Sequence, residues 1–134
     1  MNDFYTSVSR FGNDILVRGY KDGHRFADRV RFGPTLCVPA EGGDWKSLDG
    51  APLKPIKLDT MKEAREFIQQ YGEMSNFKIH GNTNYIAQFT QDRYPGNIEF
   101  DRDSINVTTI DIEVASDEGF PEPDQANYPV ITIT

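Results

Sequence analysis

Residues 4–32, FYTSVSRFGNDILVRGYKDGHRFADRVRF, alternate apolar and polar side chains in three short runs separated by two turn signals. In the first run Phe4, Thr6 and Val8 alternate with Tyr5, Ser7 and Ser9. Gly12-Asn13 marks a tight turn, 15–20 a second strand, Asp22-Gly23 a second turn and 24–32 a third strand. Strands joined this closely make an antiparallel meander. In the third strand Phe26, Asp28, Val30 and Phe32 fall on one face and Arg25, Ala27, Arg29 and Arg31 on the other. The arginine face has two readings: a surface for phosphate, or the wet side of a sheet covered on one face only.

Beyond the meander the signals are mixed. Gly33-Pro34 ends the run, 36–38 is a short strand, and 45–48 with 53–58 form a further hairpin. Pro52 and Pro55 place that hairpin at a sheet edge or in irregular chain. A helix starts after Thr60, which forms a capping box with Glu63. Met61, Ala64, Phe67, Ile68 and Tyr71 trace its apolar stripe, Lys62 and Glu66 pair on the outer side, and Gly72 suits the C-cap. Residues 77–80 suit a short strand, while 85–94 fit either a strand or a short helix. A loop or boundary follows at 94–97, then a strand over 105–114, an acidic Pro/Gly-rich loop over 116–129, and a β-prone run at 130–134. Ending inside that run reads as a truncation. The expected class is α+β.

A chain of 134 residues suits one domain, or one small domain with part of a second. No apolar run is long enough for a membrane span, and the start lacks the pattern of a signal peptide. Cys37 is the single cysteine, so no intrachain disulfide forms, which fits a reducing cytoplasm. The net charge of -7 argues against a freestanding electrostatic nucleic-acid binder. That charge is uneven: the segment to Pro34 is mildly basic, whereas from Asn97 onward Arg102 is the only base.

Asp111-Ile112-Glu113 carries the chemical interest. Residues two apart on a strand face the same way, about 6–7 Å apart along the backbone. Ile110, Ile112 and Val114 are expected to anchor the opposite face in a core, leaving two rigidly held carboxylates. Oxygen ligands of this kind suit Mg²⁺ or Mn²⁺. An exposed strand face is the plain alternative.

The run Thr109-Ile110-Asp111-Ile112-Glu113-Val114, followed by Asp117-Glu118-Gly119-Phe120-Pro121-Glu122-Pro123, resembles the first exonuclease motif of T4-type phage DNA polymerases, which belong to family B. Phe4-Tyr5-x-x-Val8, Gly12-Asn13-Asp14-Ile15 and the helix Met61-Lys62-Glu63-Ala64-Arg65-Glu66-Phe67-Ile68 are similar to earlier parts of the same enzymes, more loosely. The resemblance implies an amino-terminal domain over 1–103, with an antiparallel sheet and one or two packed helices. Over 104–134 it implies the opening strands of a ribonuclease H-like 3′→5′ proofreading exonuclease.

By the same resemblance, Asp111 is the aspartate shared by two divalent ions, Mg²⁺ or Mn²⁺, and Glu113 holds one of them and helps place the attacking water. Phe120 borders the unpaired primer end. The implied partners are a single-stranded 3′ end, template DNA and the remainder of the polymerase, in the same chain or a separate subunit. The full enzyme adds a sliding clamp and a single-strand-binding protein, and contact with RNA is also implied. No membrane is involved, and the location is the host-cell cytoplasm. Two carboxylates cannot complete two metal shells of about six oxygens each, so the chain alone is expected to be inactive. The alternative is a non-catalytic module of a split polymerase, binding single-stranded DNA or RNA or scaffolding a partner chain. Tyr5, Phe26, Phe32 and Trp45 are the candidates for base stacking, each with a plainer core reading.

Overall fold

The computed structural model describes residues 3–116, 119, 124 and 129–134. It is a mixed α+β structure of small antiparallel sheets and two α-helices, divided into two compact units, Met1–Ser104 and Ile105–Thr134. Among the described residues no helix is long and apolar enough to cross a membrane.

In the first unit, β1 (Asp3–Phe11), β2 (Asp14–Lys21) and β3 (His24–Arg31) form the expected meander in the order β1-β2-β3. Its register sets Ile15 opposite Val30 and Val17 opposite both Val8 and Asp28. A bulge between Tyr5 and Ser7 shifts the pairing of β1, and Gly19 lies beside it. A Cβ on Gly19 would come within 2.1 Å of the Phe4 carbonyl oxygen, so only glycine allows this approach.

The second sheet joins β4 (Thr35–Pro39), β5 (Trp45–Lys46) and β6 (Pro52–Lys57) in the order β4-β6-β5. The proline-bearing β6 is therefore central, contrary to the edge position expected from Pro52 and Pro55. Pro55 stands opposite Cys37, and Cys37 directs both its N–H and its C=O to His80, at 2.7 and 2.8 Å. The Cys37–Pro55 pair is thus a non-hydrogen-bonded position, and the missing N–H of Pro55 points away from β4. It faces the side where β5 pairs only with Leu53 and Pro52. His80, expected in a short strand, makes only this isolated bridge.

Helix α1 (Met61–Tyr71) starts as expected, with Thr60 Oγ1 accepting the Glu63 N–H at 3.1 Å. The return bond goes one residue further back, where Glu63 Oε2 accepts the Asp59 N–H at 2.8 Å. Asn13, in the first hairpin turn, adds a third cap by accepting the Lys62 N–H at 2.9 Å. The 85–94 segment is helical, as α2 (Tyr85–Arg93), with Asn84 Oδ1 accepting the Ala87 N–H at 3.1 Å. The Gln88 amide ties α2 to β4 by two bonds, accepting from Thr35 N and donating to Thr35 O at 2.6 and 2.9 Å. Met61 and Ala64 reach zero exposure in one core with Ile15, Val17, Phe32, Leu36, Leu58, Tyr85 and Phe89. Phe67 and Ile68 pack at its margin.

In the second unit, β7 (Ile112–Val114) pairs antiparallel with β8 (Val130–Ile133). Far less of 105–114 is strand than its alternation suggests. Among the described residues the unit is a two-stranded ribbon, not the opening of a ribonuclease H-like sheet.

Candidate nucleic-acid interface

Asp111 precedes β7 and exchanges backbone hydrogen bonds with Thr134 at 2.8 and 2.9 Å, and Glu113 pairs with Thr132. Both acids are exposed. The residues meant to anchor them are exposed too, with Ile110 at 72% and Ile112 at 57%. Asp111 turns one carboxylate oxygen back onto its own strand, accepting the Ile112 N–H at 2.9 Å. Among the described residues, nowhere do three His, Cys, Asp or Glu side chains come together to hold a metal ion. These findings overturn the expected exonuclease reading and the two Mg²⁺ or Mn²⁺ ions assigned to it. The physical reason is plain: among the described residues no buried apolar face holds Asp111 and Glu113 rigid, and no third oxygen donor joins them. Phe120, expected beside the primer end, lies outside the described residues.

The outer face of the meander is built differently. Cross-strand partners share a face, so Phe11, Asp14 and Arg31 stand in one row, with Ser9, Leu16 and Arg29 in the next. Ser7, Arg18 and Ala27 follow, and Tyr20 and Arg25 come after them. Four arginines thus share one face with one aspartate. Asp14 is nearly buried and grips two of them, Arg29 Nε at 2.6 Å and Arg31 Nε at 2.9 Å, while the arginine side chains remain 61% and 65% exposed. The hydrogen bond from Arg29 holds the Asp14 carboxyl below the usual aspartate value, helped by Arg31 and opposed by burial. Arg18 and Arg25 are exposed and make no ion pair among the described residues.

Aromatic rings border this basic strip. The Arg29 guanidinium carbon lies 5.0 Å from the centroid of the Phe11 ring, and Phe11 is 58% exposed. Toward the other end Phe4 stacks on Tyr20 at 5.5 Å, and Phe100 meets Phe4 edge-on at 5.7 Å. Phe100 is also 58% exposed. On the opposite side of the sheet Arg93 serves the fold, bonding Asp28 at 3.5 Å and lying over Phe26 at 5.6 Å.

Of the aromatics named as stacking candidates, Phe32 belongs to the core, and Tyr5 and Phe26 pack against it. Trp45 is 60% exposed but sits on the second sheet. Phe11 and Phe100 were not anticipated. Phe11 is legible in hindsight, because extending β1 to the turn puts it beside Asp14; Phe100 carries no local signal.

A basic strip edged by rings is an arrangement on which phosphates and unpaired bases could both be held. No protein-family model matches the chain. Comparison with individual proteins shows distant homology to T4-type phage DNA polymerases. The DNA-directed DNA polymerase of Escherichia phage RB69 is 29% identical over 138 aligned positions, covering 100% of this chain and 15% of that polymerase. That of Enterobacteria phage T4 is 29% identical over 136 positions, with the same coverage of 100% and 15%. The chain therefore spans about 15% of the length of these curated relatives.

Proposed function

We propose that this chain is a non-catalytic module of a replicative DNA polymerase, and that it holds single-stranded nucleic acid on the outer face of β1–β3. The observation that carries this reading is the strip of Arg18, Arg25, Arg29 and Arg31 bordered by exposed Phe11 and Phe100. Phosphates lie against the guanidinium groups, and unpaired bases stack on the rings. Asp14 orients two of the arginines while leaving their outer nitrogens exposed. The overall charge of -7 works against tight binding, so the affinity is modest and falls steeply with salt. The polymerase setting rests on the similarity to the two phage enzymes.

Fluorescence anisotropy of a labelled oligo-dT across a salt series tests this. Each phosphate contact contributes about -0.7 to the slope of log K against log salt on a single strand. Substituting both Arg18 and Arg25 with Ala reduces the magnitude of the slope by about 1.4, one contact each. A wild-type response that is flat at low salt contradicts the reading.

The ribbon supports a second, scaffolding role. Ile110, Ile112, Ile131 and Ile133 are between 57% and 72% exposed, and an isolated two-stranded ribbon is marginally stable in water. A polypeptide partner that covers these side chains would stabilise it. Co-elution with the remainder of such a polymerase, lost when Ile112 and Ile133 are changed to Lys, is the expected result.

A further inference from the structure

The four arginines of the outer face follow a pattern that neither strand shows alone. Cross-strand partners form rows across β1–β3, and successive rows on this face lie two residues apart along the strands, roughly 6–7 Å. Arg31 stands in the first row with Phe11 and Asp14, and Arg29 in the second with Ser9 and Leu16. In the third row β3 offers only Ala27, and Arg18 of β2 supplies the guanidinium from the position opposite it. Arg25 stands in the fourth with Tyr20 and Phe4. Each row therefore carries one exposed arginine. We propose that these rows are a linear track: an extended single strand of nucleic acid lies along the β-strand direction, with one phosphate against each row. The track rests on the single-strand reading above and adds to it a path, a footprint of four phosphates and the exclusion of duplex.

Spacing is the first support. A stretched single strand repeats its phosphates at about the interval of the rows, so a phosphate meets a guanidinium in each of them. A duplex backbone winds round its axis instead, advancing only about 3.4 Å along it per nucleotide of one strand. A straight track therefore loses that backbone after the first contacts.

Charge is the second. Among the paired residues of this face Asp14 is the one carboxylate; it is 8% exposed and already holds Arg29 and Arg31 by their Nε atoms. The track thus stays strongly positive in a chain whose net charge is -7.

The rings are the third. Phe11 lies in the first row, and Phe100 meets Phe4 of the fourth at 5.7 Å. Exposed rings stand at both ends, while the second and third rows hold none. End bases stack on the rings, and the middle of the strand is held by its backbone. Ser7, Ser9 and Ala27 line that middle, and their small side chains let a backbone lie close.

The test measures affinity and salt slope for oligo-dT of increasing length with the 134-residue protein. Affinity should rise steeply until the strand has about five nucleotides, enough for four internal phosphates, and only weakly after that, with a final slope of about -2.8. Arg18→Ala should weaken binding roughly three- to tenfold and take about 0.7 off the slope. Adding Ala27→Arg to Arg18→Ala returns a guanidinium to the same row and should restore both. Adding Gln69→Arg to Arg18→Ala returns the same charge at an exposed position of α1, behind the sheet, and should restore neither. All three positions are exposed, so the thermal midpoint of the free protein should hold. Rescue by both double variants, or by neither, overturns the track. So does an affinity that keeps climbing steeply past the footprint, or a hairpin duplex bound as tightly as the single strand. Loss of all binding in the parent overturns the single-strand reading itself, so the two failures are seen separately. Oligo-U of the same lengths distinguishes the sources: tighter binding of one strand assigns the track to RNA or to DNA, and equal binding assigns it to both.

Discussion

The meander β1–β3 and the ribbon β7–β8 start from the same kind of sequence, alternating apolar and polar residues bounded by turns, and they end in opposite physical states. In the meander, Ile15 and Val17 reach zero exposure because α1 and α2 belong to the same core. In the ribbon, Ile112 and Ile133 remain 57% and 71% exposed. Alternation determines which residues share a face. It does not determine whether anything covers that face, and that second condition decides whether paired carboxylates become rigid ligands or ordinary surface acids.

The largest contrast should appear in the two sets of apolar side chains. Met61→Ala removes a side chain with no exposure and should cost about 2–5 kcal/mol in urea unfolding. Ile112→Ala should stay within about 0.5 kcal/mol, as at most surface positions. A loss of core size at Ile112 would break the comparison by revealing a covered ribbon.

A smaller effect is expected at the helix that closes the meander. Thr60→Ala should cost about 1 kcal/mol, because the Glu63 N–H loses its acceptor. Equal stability would mean that Asn13, reaching the next amide from the hairpin turn, caps the helix sufficiently alone.

The third effect is one of pH. The folded carboxyl of Asp14 titrates below its unfolded value, so its contribution is complete above the ordinary aspartate pKa of about 3.9 and is lost as pH falls through the lower, folded value. Asp14→Asn should therefore be less stable than the parent at pH 7, with the gap closing as both are acidified below about pH 4. A gap independent of pH would show that Asp14 acts by shape alone.

The meander was legible in the sequence almost residue by residue, because Gly12-Asn13 and Asp22-Gly23 leave little choice of register. The start of α1 was equally clear from Thr60 and Glu63. Helix α2 was not, since Tyr85, Ala87 and Phe89 alternate while Tyr85, Ile86 and Phe89 share a helical face. The Gln88 bonds to Thr35, distant in sequence, are part of what holds it in place. The central position of β6 was hidden because the harmlessness of Pro55 depends on His80 occupying the hydrogen-bonding groups of Cys37. The arginine face was visible as one of two readings. Its border was not, because Phe100 reaches Phe4 only through tertiary packing.

The most direct test of the central claim maps a short oligo-dT onto the ¹⁵N-labelled protein at low salt. Shifts concentrated at Phe11, Arg18, Arg25 and Arg29 are expected, weakening as salt is raised, with Ile112, Glu113 and Ile133 unmoved. Shifts confined to the ribbon, or none on the meander, would contradict that claim.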